Sequence, residues 1–170
     1  MLQGMVLALS VVVALLRGGS FRPLPKFKAV WLLLLAVVFA VCAAFIVKHS
    51  PVLASLSYVF TLGFLVLNWS FLELRLLLIG VAMNALVIWA NGGIMPVSVL
   101  HHEDLWHGAL TRHTVFPFLG DILYIRYPAR AEISLGDVFI WSGTLLLIQR
   151  LLGRPIHLVR LACSEGQTEE

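Results

Sequence analysis

Five apolar runs dominate this chain, at roughly residues 2–16, 29–47, 52–70, 74–90 and 136–152. A helix needs about 20 apolar residues to cross the hydrocarbon core of a bilayer, with a tolerance of roughly 17–25. The middle three runs meet that length, the first is slightly short and the last is marginal. A backbone in hydrocarbon must satisfy its own hydrogen bonds, so such runs are read as helices. Composition agrees: 60% of the 170 residues are hydrophobic and 12% are charged, against about half and a quarter in a soluble domain. The expected fold is an all-α integral membrane protein. A compact bundle of about five transmembrane helices occupies residues 1–152, with one long outer loop, 91–134, packing back over it. A polar cytoplasmic tail follows at 153–170.

The first run is not a secretory signal by its charge. Its basic residues (Arg17, Arg22, Lys26, Lys28) come after the apolar stretch, the reverse of a signal peptide. It reads as a retained span with its N-terminus outside. In that orientation Arg17, Arg22, Lys26, Lys28, Arg75, Arg150, Arg154 and Arg160 lie inside, and Lys48, Arg112, Arg126 and Arg130 outside. That bias is the one expected of a cell-membrane protein with a cytoplasmic C-terminus. The links "KHSP" and "FLELR" are short enough to force antiparallel helical hairpins. Ala36, Ala40 and Ala44 place small residues on one stripe of the second span, a feature of close helix packing. In the outer loop, "VLHHEDLWHGALTRH" fits a short amphipathic interfacial helix, with Leu105, Trp106, Ala109 and Leu110 as its apolar face.

Three motifs carry the candidate chemistry. "NGG" (Asn91, Gly92, Gly93) follows the fourth span as "RGGS" follows the first. Glycine or asparagine in the left-handed conformation ends helices, and Pro96 and Pro23 stop them from continuing. One such residue suffices, so the alternative is that spare backbone amides receive an anion or a polar headgroup. The triplet Leu-Gly-Asp occurs twice, at Asp121 and Asp137. Ser134 lies three residues before Asp137, which makes Asp137 a helix cap favoured by the dipole. Asp121 has Phe118 in that place, and capping explains it less well. The third motif is the set His101, His102, His107 and His113, with Glu103 and Asp104. Such groups can hold a transition metal, but the spacing matches no zinc signature, so interfacial histidines are the plainer reading and no metal or other cofactor is expected. Cys42 and Cys163 are too far apart in context for a disulfide framework.

The second, third and fourth spans hold no ionisable residue well inside the bilayer, which argues against transport, and no histidine to ligate a haem. Asn68, Asn84 and Gln149 are read as interhelical hydrogen-bonding groups.

Taken in order, "LLRGGS", "NGGIMPVS", His107 with Thr111 and Thr114, "FLGDI", Tyr127-Pro128, "ISLGDVFI" and "LIQ" resemble a bacterial family of small multi-pass membrane proteins known only as a domain of unknown function. The resemblance runs to about Leu152. It implies a bacterial cytoplasmic-membrane protein and highlights Arg17, Asn91, Gly92, Gly93, Met95, Pro96, His107, Asp121 and Asp137. His101 and His102 fall outside its pattern, and it supplies no activity. Three functions follow as expectations. The first is a non-enzymatic binding, sensing or accessory subunit that works with a membrane-protein partner or a second copy of itself. The second is a membrane-embedded enzyme on a lipid or polyprenyl substrate at the outer leaflet, with Asp121 and Asp137 as acid and base and His107 as base or metal ligand. The third is a small transporter. Nucleic acid is not an expected partner.

Overall fold

The computed structural model describes residues 2–20, 23, 25–46, 50–98, 106–127, 131–154 and 156. Five helices carry the fold: α1 (Leu2–Leu16), α2 (Trp31–Val41, continued by a wider π-helical turn Cys42–Ile46), α3 (Pro51–Leu67), α4 (Leu72–Ala90) and α5 (Leu135–Leu151). Each follows one of the apolar runs. Among the described residues, α4 alone is long and apolar enough to cross a membrane by length and composition. Local chemistry sets the boundaries. Ser50 caps α3, its Oγ accepting from the Leu53 amide at 3.4 Å, and Pro51 opens the helix where no amide is needed.

The closest packing in the bundle is between α4 and α5, and glycine makes it possible. A Cβ at Gly80 would run into the Gly136 carbonyl, and one at Gly143 would lie 2.8 Å from the Glu73 carbonyl. These glycines, rather than the alanine stripe of α2, bring two helix backbones together. Of those alanines only Ala36 is buried; Ala40 and Ala44 are exposed along a cavity wall. A core of Leu32, Phe64, Leu65 and Leu74 joins α2, α3 and α4. Phe27, on the strap before α2, packs edge-on against Phe64 and Phe71.

One end of the bundle is basic and densely tied. The fully buried Gln149 accepts from Arg17 Nη1 at 2.6 Å and donates to the Ser10 carbonyl at 3.0 Å, locking α1 to α5. Glu73, 3% exposed, accepts from Arg150 Nε at 2.8 Å. The buried Asn68 side chain exchanges two hydrogen bonds with the backbone of Lys28. Asn68, Asn84 and Gln149 therefore act as packing groups, joining segments that the apolar contacts alone would leave free to slide.

The other end is covered by the long loop, which corrects one expectation. Trp106 to Leu110 do not form an interfacial helix. His107–Ala109 is a strand, β2, paired in parallel with β1 (Met95–Val97). The Met95 amide donates to the Trp106 carbonyl at 2.8 Å, and the Leu110 amide to Val97 at 3.0 Å. Gly108, a poor helix former, lies where a Cβ would sit 2.8 Å from Ile94. A second ladder, β3 (Leu123–Ile125) against β4 (Ala131–Ile133), is antiparallel and runs directly into the cap of α5. Arg112 and His113, at the end of the expected helix, form a turn, and its residues 99–105, with His101, His102, Glu103, Asp104 and Leu105, lie outside the described residues.

Candidate functional site

Strand β1 is the axis of the site. His107 lies opposite Met95 on one side, and Asp121 bridges to Val97 on the other. The Asp121 amide donates to the Pro96 carbonyl at 2.8 Å, and its own carbonyl accepts from Ser98 at 3.0 Å. Gly120 permits this approach, since a Cβ there would lie 2.5 Å from the Pro96 carbonyl oxygen. The strand thus sets an imidazole and a carboxylate side by side, with His107 Nε2 3.7 Å from Asp121 Oδ2.

Helix α5 contributes the second carboxylate. Asp137 completes a capping box: its amide donates to Ser134 Oγ and the Ser134 amide donates to Asp137 Oδ2, both at 3.0 Å. Its other oxygen accepts from Asn84 Nδ2 at 3.0 Å, and Asn84 Oδ1 accepts from Ser134 Oγ at 2.9 Å. Asp137 is therefore a cap and a partner of α4 together. Gly136 keeps the space clear, because a Cβ there would collide with the Asn84 side chain. The two Leu-Gly-Asp triplets thus solve two different steric problems, one on a strand edge and one in a first helical turn. In each, the glycine lets the next aspartate reach the same place.

That place is a cavity of about 480 Å³ between the loop and the ends of α2, α3 and α4. Asp121, Asp137, His107 and Asn84 lie on its polar side. Ala40, Ala43 and Ala44 of α2 and Ala54 of α3 form its apolar wall, with Tyr58 and Trp106 also at its surface. Asp121 is 8% exposed, and its Oδ1 is buried without a hydrogen-bond partner. Burial, and then the nearby charge of Asp137, push its carboxyl up to about 7; His107 opposes the shift and Glu132 adds to it.

The other motif residues are placed elsewhere in function. Asn91 ends α4, and its side chain donates to the Val115 carbonyl and accepts from the Val115 amide at 2.9 and 3.0 Å, pinning the loop. Gly92 and Gly93 have φ of +71° and +92°. Their amides are spent on the carbonyls of Trp89 and Ile88, so they do not form an anion nest. Gly93 alone of this trio lines the cavity. His113 is exposed in a turn, its amide donating to Thr111 Oγ1. Among the described residues, no three His, Cys, Asp or Glu side chains are grouped to hold a metal. Asn84 enters the site although sequence reading treats it as an isolated interior polar group. Its spacing of four from Gly80 on one helix face was the available signal.

Fold and site define a helical bundle with a carboxylate-bearing cavity at one end, under a loop of short strands. The chain belongs to a family of unknown function (DUF5317), whose model matches residues 25–149. The matched stretch takes in Asn91–Gly93 and both Leu-Gly-Asp triplets, and begins after the Arg17-Gly18-Gly19-Ser20 motif. No curated protein and no solved structure matches the chain.

Proposed function

We propose that the chain is a multi-pass membrane protein of the cell membrane, with N-terminus outside and C-terminus cytoplasmic, whose loop-end cavity binds a ligand. In this reading it is a non-enzymatic binding, sensing or accessory subunit that works with a membrane partner or a second copy of itself. The observation that carries it is the convergence of Asp121, Asp137, His107 and Asn84, from three separate parts of the chain, on one cavity. Support for the membrane comes from the apolar side chains the helices turn outward, such as Leu9, Leu16, Leu34, Val37, Phe45 and Val52. A belt of this kind suits lipid and would be costly in water. Basic residues gathered at the end away from the loop support the orientation.

Two measurements test this. In a background without native cysteines, Thr111→Cys should react with an impermeant thiol reagent in intact cells, and Arg154→Cys only after permeabilisation. The opposite pattern refutes the orientation. Mass spectrometry of the protein in mild detergent should find a bound small molecule that is lost in Asp121→Asn. A second reading, an enzyme acting on a lipid or polyprenyl substrate, is favoured by one specific observation: a carboxyl that titrates near neutrality beside an imidazole suits acid–base catalysis. Chemical change in the bound molecule, rather than its recovery intact, is the result that selects the enzyme.

A further inference from the structure

The ligand class can be read from the donors and acceptors that the cavity leaves open. We propose that the cavity takes a small organic ammonium ion, a primary amine with a short aliphatic body, between Asp121 and the alanine wall of α2. This rests on the ligand-binding reading above and names the chemistry of the occupant.

The charged groups at the site are acidic, Asp121 and Asp137, on a cavity that the hydroxyl-bearing residues Ser55, Ser57 and Tyr58 also line. Asp121 lines the cavity, and its Oδ1 is buried without a hydrogen-bond partner. The Asn84 amide donates to Asp137, and the Asn84 oxygen is occupied by Ser134. Among the described residues, no lysine or arginine lines the cavity. Two carboxylates at one site repel an anion and attract a cation. His107, with 39% of its side chain exposed, approaches Asp121 only to 3.7 Å. That is beyond hydrogen-bonding distance and leaves Oδ1 unanswered.

A bare metal ion is a poor occupant. Among the described residues no third ligand joins the carboxylates, and oxygen-bound cations take six or more ligands. The rest of the cavity is the wrong chemistry for a hydrated ion and the right one for a hydrocarbon stem. Ala40, Ala43, Ala44 and Ala54 present methyl groups, and about 480 Å³ lies within the range of small-molecule pockets. Tyr58 and Trp106 supply aromatic surface of the kind that stabilises a cation. Burial and then the charge of Asp137 push the Asp121 carboxyl upward against the opposing effect of His107, and an ammonium group would add a further opposing charge.

A free amine and the ethanolamine headgroup of a lipid share this ammonium chemistry, and the test separates them. The full chain in mild detergent is titrated with n-butylamine, n-butanol and butyrate while its tryptophan fluorescence and unfolding temperature are followed. Short-chain phosphatidylethanolamine and phosphatidylglycerol form the lipid arm. Butylamine should saturate both signals, while butanol and butyrate leave them unchanged. Asp121→Asn, shown folded by circular dichroism and size exclusion, should weaken butylamine at least tenfold. A response to phosphatidylethanolamine with none to butylamine assigns the ammonium to a lipid headgroup. Saturation by butanol or butyrate, or an amine response unchanged in Asp121→Asn, overturns the proposal. A co-purified neutral or anionic molecule lost in Asp121→Asn also overturns it but leaves the ligand-binding reading standing. No co-purified molecule and no response to any probe removes both.

Discussion

Replacing Asp121 with asparagine keeps the shape and an acceptor oxygen and removes only the charge, so it isolates the electrostatics of the site. In the folded protein this carboxyl lies at about 7, against 3.8 without its surroundings. The folded state therefore binds more protons than the unfolded one between those two values. Stability must fall as pH rises through that window and level off above it. Each pH unit is worth about 1.4 kcal/mol, which puts the ceiling at about 4 kcal/mol. The side chain is 11% exposed at the edge of a cavity that water can enter, and screening there reduces the figure to about 1–3 kcal/mol. Asparagine never acquires the charge. The difference between Asp121→Asn and the native protein should be near zero at pH 4 and grow in favour of the variant up to pH 8. For a chain of this size it corresponds to about 2–12 °C in unfolding temperature. Thermal unfolding in detergent, followed by circular dichroism at pH 4, 5, 6, 7 and 8, measures it. Taking the difference cancels the other titrating groups. Parallel curves for the two proteins, or a variant that loses ground as pH rises, would refute the account.

Asp137 uses both oxygens, and asparagine can replace only one of them. Asp137→Asn should cost about 0.5–1.5 kcal/mol, and Asp137→Ala more, since it loses a cap worth about 0.5–2 kcal/mol and strands the Asn84 amide at about 1–3 kcal/mol; chemical denaturation of the two variants gives the order. Gly136→Ala forces a methyl group against Asn84 and should destabilise by about 1–3 kcal/mol through the α4–α5 contact, with Gly4→Ala, open on all sides, as the neutral control. Butylamine binding should strengthen between pH 5 and pH 8 as Asp121 loses its proton. Asp137, Glu132, Tyr58 and His107 also face that carboxyl; an affinity that is flat in pH would refute this.

The helices were legible because long apolar runs leave few alternatives, and short links such as Asn68–Phe71 leave no room for anything but a turn. The cap at Ser134 was legible for a different reason: its chemistry is local, and three residues suffice to specify it. The loop was not. Met95–Val97 and His107–Ala109 are three-residue strands, too short to show an alternating pattern, and their pairing joins residues a dozen positions apart. The apolar face drawn through Trp106, Ala109 and Leu110 looked helical by spacing, although Gly108 in its middle argued against a helix. In the site, Asp121 stood out because no local cap explained it. Asn84 and Tyr58 did not, because an asparagine or a tyrosine within an apolar run reads first as packing. The glycines of α4 and α5 were passed over for the alanines of α2, since a sequence shows small residues without showing which of them face another backbone.

The two polar ties between α4 and α5 have a mechanical consequence. Glu73–Arg150 lies near one end of the pair, and Asn84 with Ser134 and Asp137 near the other. Eleven residues of helix separate Glu73 from Asn84, about 16 Å along the axis. Two pins that far apart fix a rod in both translation and rotation. A slip of one turn, about 5.4 Å, would break both at once and drive side chains into Gly80, Gly136 and Gly143. The height of Asp137 along the bundle is therefore gauged by α4 itself, as a vernier is read against its scale. Whatever tilts one helix of the pair tilts the other with it and leaves the floor of the cavity in register.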